Sequence, residues 1–424
     1  MLSAEIIAVG SELLTPDKTD TNSLWLTGKL NEIGVEVKLK TIVGDDEARL
    51  EETIKDAVKR SDIVISTGGL GPTEDDVTRQ VSARAVGREL VFHEYLVDEL
   101  RARFKRWGRE MPEINKRQAF VIEGSEILPN PNGSAVGMLL EAECLPDSRQ
   151  NGGITLVVLP GPPRELMPMF ENFVLPKLKA KAGEIFVKRR ILKVSGIGES
   201  AVDEAIAPIY TSYGSLQTSI LFNKSEVEVH LFAEGDSDSS ALAILDDVAG
   251  KIAEKLGIAV FSLDGESMEE VVGKLLSKRR ETLAVAESCT GGMIAMRLTD
   301  VPGSSAYFLE AAVTYSNDSK TRNLGVSASL LEKYGAVSAE TAEAMAAGMR
   351  QRAGTDHAIS VTGVAGPDGG SEEKPVGTVF VGYSDAAITK SMKMMLPGDR
   401  YLIRWRSSQA ALDYLRRQML KAGH

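Results

Sequence analysis

Apolar and polar positions over the first 170 residues follow two alternating periods. Short apolar runs, EIIAVG at 5–10, VEVKLKTIV at 35–43 and DIVIST at 62–67, predict strands, and helical spacing at about 22–33 and 46–60 separates them. Strand–helix alternation at this interval predicts a doubly wound, mostly parallel sheet. A longer helical stretch at about 93–108 comes next, then a loop-rich segment carrying LPNPNGSAVG. A strand at 155–160 runs into the Pro-rich GPPRELMPMF and completes a first α/β domain over 1–175.

The texture then changes. IFVKRRILKVSG at 185–196 and EVEVHLFAEG at 226–235 alternate residue by residue, with helical spacing at about 199–212 and 239–257. Two or three strands and two helices predict a small α+β domain over 183–260. From 265 to 424 a third, α/β pattern runs through strands TLAVAES, FLEAAVTYS, HAISVTG and VGTVFVGYS, with helices at GGMIAMRLTD, at SAETAEAMAAGMRQRAG and at about 399–421. Three domains are expected.

Composition narrows the function classes. Lys+Arg 49 against Asp+Glu 60 gives a formal charge of −11, contrary to the basic footprint of a nucleic-acid or anionic-membrane binder. Direct nucleic-acid contact and membrane association are therefore not expected. Two cysteines, Cys144 and Cys289, make neither a disulfide framework nor a cysteine zinc site. No basic leader opens the sequence and no run approaches the roughly 18 apolar residues of a membrane span, so a cytoplasmic protein is expected.

Chemistry gathers at strand ends. TGGLGPTEDDVT at 67–78 follows the strand at 62–67; Gly68, Gly69 and Gly71 permit a tight turn and close ligand approach, and Thr73 is a cap or phosphate contact. Asp75 and Asp76 at the head of the next helix suit plain capping, yet three glycines and two acids together point to a phosphate ligand with an Asp-held divalent cation. The spacing is neither GxGxxG nor Walker A. Near the other end, ESCTGG at 287–292 sets Ser288, Cys289, Thr290, Gly291 and Gly292 at a strand-to-helix corner, where exposed amides stabilise an oxyanion and a hydroxyl is poised as a nucleophile.

A serine nucleophile needs a base. Of the four histidines, His93, His230, His357 and His424, only the last two fall in this domain; His357 reads as a strand-end residue and His424 ends the chain. Lys320 in YSNDSK is the alternative, because a lysine buried against apolar walls loses its proton readily. Cys289 is a rival nucleophile on thiol chemistry alone. Thr362 and Gly363, in a glycine-rich loop after a strand, and Arg400 in PGDR are candidates for substrate and phosphate contacts, while Arg404 reads as exposed charge.

Taken together, GSELL (10–14), DTNS (20–23), TGGLGPTEDDVT, NKRQA (115–119) and the LPNPNGSAVG/LPGPPREL pair resemble the molybdopterin-binding-type domain, in the version that opens CinA-family proteins. AESCTGG, TYSNDSK, VTGVAGPDGG, EEKPVGTV and PGDR resemble the CinA C-terminal domain. The resemblance implies a three-layer α/β first domain, a KH-like middle domain and a CinA-type α/β last domain. It also implies two hydrolytic activities. In the first domain, ADP-ribose would be split to AMP and ribose 5-phosphate with magnesium, manganese or cobalt. There Gly68–Gly71 would cradle the pyrophosphate, Asp76 would be the foremost metal ligand with Asp75, and Asp20, Asn22, Asn115 and Lys116 would line the pocket. Which acid is base and which is ligand the pattern leaves open.

In the last domain, the resemblance implies cofactor-free deamidation of nicotinamide mononucleotide. Ser288 would be the nucleophile, Lys320 the base and Tyr315 its support. Thr290, Gly291, Asn317, Thr362, Gly363 and Arg400 would surround the substrate. A homodimer is implied as well. Two other readings stand beside these: a non-catalytic competence or recombination adaptor, and a molybdopterin-binding protein. GIGES at 196–200 lacks the GxxG loop of an RNA-binding KH module.

Overall fold

The structure, a computed structural model, describes residues 2–142, 153–183 and 186–421; Cys144 and His424 lie outside the described residues. The chain forms two compact units, Met1–Lys188 with Glu234–Ala241, and Arg189–Ala233 with Leu242–His424.

In the first unit the order is β1 (Ser3–Val9), α1 (Thr21–Glu32), β2 (Glu36–Val43), α2 (Glu47–Arg60), β3 (Ile63–Thr67), α3 (Thr78–Ala85), β4 (Leu90–Phe92), α4 (Glu94–Arg106), β5 (Phe120–Ile122), β6 (Glu126–Leu128), β7 (Gly137–Ala142), β8 (Ile154–Leu159), α5 (Pro163–Met169) and α6 (Leu175–Ala182). The main sheet runs β2-β1-β3-β8-β7-β6. Its first four strands are parallel, and β7 and β6 join antiparallel. Alternate residues of β1 enter separate cores, Ile7 and Val9 in one, Ala4 and Ile6 in the other, as in a sheet buried on both faces. The stretch expected as loop-rich thus holds β5 and β6, strands of three residues each in which no period shows, and the six-residue β7.

The middle stretch follows as β9 (Phe186–Ser195), α7 (Glu199–Tyr210), β10 (Leu216–Asn223), β11 (Glu226–Gly235), α8 (Asp238–Leu256) and β12 (Val260–Ser262). Its four strands lie in the order β10-β11-β9-β12, one more than the two or three expected. Val227, Val229, Leu231 and Ala233 alternate inward against α7 and α8, giving a one-sided core.

The last stretch comprises α9 (Met268–Arg279), β13 (Leu283–Glu287), α10 (Met293–Thr299), β14 (Phe308–Val313), α11 (Asn317–Leu324), α12 (Ala328–Tyr334), α13 (Ala339–Ala353), β15 (His357–Gly363), β16 (Thr378–Ser384), β17 (Thr389–Met395) and α14 (Arg400–Lys421). The sheet order is β14-β13-β15-β16-β17, with β14, β13 and β15 parallel and the other two antiparallel. Leu283 and Val285 enter one core and Ala284 and Ala286 the other, so this sheet too is covered on both faces. Among the described residues no helix is long and apolar enough to cross a membrane.

One close approach fixes the helix that carries Lys320. A Cβ on Gly348, within α13, would lie 1.8 Å from the backbone carbonyl oxygen of Leu324, the last residue of α11. Gly348→Ala is therefore expected to force α11 outward and to cost about 1–3 kcal/mol. Gly250→Ala, at an α8 position with open space around it, is expected to gain up to about 1 kcal/mol from helix propensity. Urea denaturation of both variants checks the opposite signs.

Candidate functional site

In the last domain, β13 lies between two parallel neighbours, so its carboxyl end opens into a crevice at a switch point of strand order. Glu287 ends the strand and Ser288 follows, its amide donating to the Val361 carbonyl (3.0 Å). Beyond β14, Ser316 caps α11 by accepting from the Ser319 amide, which brings Lys320 inward in the first turns. Lys320 Nζ lies 3.1 Å from Ser288 Oγ and donates to the Thr314 carbonyl (2.9 Å), with the Tyr315 carbonyl at 3.5 Å. Lys320 is 1% exposed and Ser288 8%. Burial lowers the Lys320 pKa from its usual value.

Several sequence expectations change here. Gly292, Ile294 and Ala295 donate their amides to the buried Glu287 carboxylate at 2.9, 3.2 and 2.9 Å, so the start of α10 is already occupied by an anion of the protein itself. Among the described residues, the loop amides of Cys289 and Thr290 take no acceptor from another residue's carbonyl or side chain. Cys289 packs into the hydrophobic core, and burial pushes its thiol up to about 12, which disfavours the reactive thiolate. Tyr315 is 63% exposed, and its hydroxyl accepts from Arg400 Nη2 at 3.2 Å, so any support to Lys320 comes through its carbonyl.

Arg400 also donates to the Gly366 carbonyl (2.6 Å). Arg404, expected as exposed charge, is half-buried and donates to the Thr290 carbonyl (2.7 Å), close beside Gly291. The Thr290 hydroxyl is buried with no partner. Thr362 is buried and gives its hydroxyl to the Ala336 carbonyl (2.7 Å), and Gly363 packs against Thr378 and Val379, so both are engaged within the fold at the end of β15. Asn317 is exposed at the head of α11. His357 sits at the opposite end of its strand, bonded to Tyr383 and Glu281 at 2.9 Å each.

The first unit repeats the switch-point geometry between β1 and β3. A cavity of about 370 Å³ is lined by Gly68, Gly69, Gly71, Asp75 and Asp76, together with Glu12, Asp45, Gln118, Ser134, Gly161 and Glu165. Gly68 has φ +99°, and a Cβ there would lie 2.2 Å from the Val9 carbonyl, so only glycine lets the loop close onto β1. Arg79 is buried beneath this loop; its Nη2 donates to the Leu70 carbonyl (2.9 Å), and Gln118 reaches the same oxygen at 3.4 Å. A trans peptide holds C=O and N–H on opposite sides, which faces the Gly71 amide away from Arg79. Burial lowers Arg79 to about 10, leaving it cationic at neutral pH with its Nε unpartnered.

The other expected pocket members play different parts. Asp76 accepts from the Thr73 amide (2.9 Å) and hydroxyl, so Thr73 holds Asp76 in place. Asp20 caps α1 through the Ser23 amide, Asn22 donates to the Gly161 carbonyl (2.6 Å), Asn115 is buried on Gln118, and Lys116 pairs with Glu113. None of these four lines the cavity. Sequence reading passed over Glu12, Asp45, Gln118 and Glu165; GSELL, NKRQA and LPGPPREL carried three of them, but isolated polar residues in short turns have no period to betray them. Among the described residues no group of three His, Cys, Asp or Glu is gathered to hold a metal. Two neighbouring carboxylates at a glycine loop suit a cation of the magnesium type, which binds through one or two carboxylates plus substrate phosphates.

The buried amine has a thermodynamic signature. Between the lowered Lys320 pKa and the usual value of 10.5, the unfolded chain carries a proton that the folded chain lacks, so stability rises with pH across that window and levels above it. Relative to Lys320→Met, the wild-type protein is therefore expected to gain stability as pH climbs toward 10.5, as read by urea denaturation at a series of pH values.

The family models match in the same order as the sheets: a probable molybdopterin binding domain over residues 5–180, the damage-inducible protein CinA KH domain over 189–262, and the CinA C-terminal domain over 265–419. A CinA-like protein of Solibacter usitatus (strain Ellin6076) is 48% identical over 418 residues, covering 99% of this chain and 98% of its own. A putative competence-damage inducible protein of Thermoanaerobacter pseudethanolicus is 42% identical over 419 residues, covering 99% of each. A solved CinA superfamily structure from Klebsiella pneumoniae 700603 is 30% identical over 37% of this chain and 99% of its own, with a TM-score of 0.36. With all three domains present in order and relatives matched end to end, the chain belongs to the CinA family of competence/damage-inducible proteins.

Proposed function

We propose that the chain is a bifunctional hydrolase of pyridine nucleotides, with a metal-free amidase in the last domain and a metal-dependent diphosphate hydrolase in the first. The observation that carries the amidase is the buried contact between Lys320 Nζ and Ser288 Oγ at 3.1 Å, with no carboxylate in the pair. A neutral amine there accepts the hydroxyl proton as Oγ adds to the carboxamide carbon of nicotinamide mononucleotide. The resulting oxyanion finds donors in the loop amides of Cys289 and Thr290. Collapse breaks the C–N bond, the Lys320 ammonium returns its proton to the leaving nitrogen, and ammonia departs. Water then adds to the seryl ester with Lys320 again taking the proton, and as the ester C–O bond breaks the ammonium returns that proton to Oγ, giving nicotinic acid mononucleotide and restoring Ser288. Arg400 and Arg404, at the start of α14, supply positive charge for the substrate phosphate.

For the first domain the supporting feature is the glycine loop backed by a buried cationic Arg79, which suits a diphosphate. ADP-ribose is the substrate proposed. Water adds to one phosphorus, the bridging P–O bond breaks, and a cavity carboxylate accepts the water proton, yielding AMP and ribose 5-phosphate. Asp75 and Asp76 would hold the divalent cation, which when bound supplies charge neutralisation on the phosphates.

Ammonia release from nicotinamide mononucleotide is expected to persist with chelator, to fall to background in Ser288→Ala, and to fall about 10²–10⁴-fold in Lys320→Met. Full activity in a folded Ser288→Ala protein would sink the amidase. AMP release from ADP-ribose is expected to need added magnesium, manganese or cobalt and to drop about a hundredfold in Asp76→Asn, several kcal/mol of charge stabilisation being lost. Chelator-resistant release would exclude the cation from that reaction.

A further inference from the structure

The head of α14 gathers positive charge where a helix least favours it. Arg400, Arg404 and Arg406 fall in its first two turns, and Lys224 reaches the same place from the turn between β10 and β11. The positive end of the helix dipole disfavours all four. Among the described residues none of the four is held by a carboxylate, and Asp399 is engaged as the helix cap, accepting from the Leu402 amide (2.8 Å).

Neutral partners hold these cations instead. Arg400 and Arg404 donate to the Gly366 and Thr290 carbonyls. Arg406 Nε donates to the Lys224 carbonyl (3.1 Å), and its Nη1 to the Pro397 carbonyl in the loop leading to Arg400. The indole of Trp405 meets two cations, Lys224 Nζ at 4.1 Å from its ring centre and the Arg297 guanidinium at 4.6 Å. Carbonyls and a ring face fix a cation without cancelling its charge, which stays available to an anion. The β10–β11 hairpin is itself moored on this helix. Glu226, the first residue of β11, accepts from Gln409 Nε2 of α14 (3.0 Å) and from Lys193 Nζ of β9 (2.8 Å), all within one compact unit.

We infer that the β10–β11 turn of the middle domain is a positioning element of the amidase, with Lys224 at its tip. Through Trp405 and Arg406 it sets the first turns of α14, from which Arg400 and Arg404 supply charge for the substrate phosphate. Lys224 touches no reacting atom. It governs how firmly a phosphorylated substrate is held and leaves the acyl chemistry at Ser288 and Lys320 alone. The inference rests on the amidase reading and adds to it a preference for nucleotide over nucleoside that the middle domain supports.

Steady-state ammonia release by the full chain, from nicotinamide mononucleotide and from nicotinamide riboside, tests this. The two compounds carry the same amide and differ in the phosphate. Lys224→Asn removes the ammonium at an exposed turn and suits the left-handed backbone there, φ +56°. It is expected to raise KM for the nucleotide about two- to fivefold, the range that one exposed cation–π contact supports, with kcat unchanged. On the riboside kcat/KM is expected to stay, and Lys224→Arg is expected to return the nucleotide KM to its wild-type value. In an Arg400→Ala, Arg404→Ala background Lys224→Asn is expected to add nothing. An unchanged nucleotide KM in Lys224→Asn, an equal loss of kcat/KM on both compounds, or a full further loss in that background would overturn the inference and leave the amidase in place. Ammonia release from neither compound by wild-type protein removes the amidase and the inference together.

Discussion

An ammonium taken out of water without a carboxylate beside it is unstable as a cation, and the last domain is organised around that cost. Lys320 is enclosed by backbone carbonyls and one hydroxyl, all of which a neutral amine can still use as partners. The nearest buried acid, Glu287, is committed to the first amides of α10. In the proposed amidase, a carboxylate paired with Lys320 would hold the lysine charged and deprive Ser288 of its base; Glu287 is bonded elsewhere.

The two α/β sheets solve the same problem with different residues. In each, neighbouring parallel strands send their connections to opposite faces, and the gap at their carboxyl ends becomes the crevice. The first sheet fills its crevice rim with glycines and a buried arginine, suited to anions. The second puts a hydroxyl and an amine there, suited to acyl transfer. The backbone supplies the location and the side chains at the strand ends supply the chemistry.

Much of this was legible beforehand because long periodic elements announce themselves. The strands at 5–10, 62–67 and 282–288 and the helix at 46–60 carry enough apolar positions to show their period. The contact of Ser288 with Lys320 was foreshadowed too, Ser288 by its glycine-marked strand-to-helix corner and Lys320 by the want of a histidine in reach. Short strands such as β5 and β6 were not, because three residues hold no period. Helix α9 carried a readable signal that went unused, the Ser267–Glu270 capping box. Least legible were side-chain destinations. Nothing in DTNS says that Asn22 would reach the Gly161 carbonyl, because that partner is brought near only on folding, whereas Asp20 capping its own helix is a local signal.

The Glu287 clamp also bears on how the corner would behave in the proposed amidase. Three amides bound to one carboxylate tie the end of β13 to the first turn of α10 on both sides of Ser288. The backbone that bears the hydroxyl is thereby held from before and from behind. In the proposed amidase, an acyl group would come and go at Oγ while the main chain beneath it keeps one conformation, so little reorganisation energy would be asked of the protein at either step.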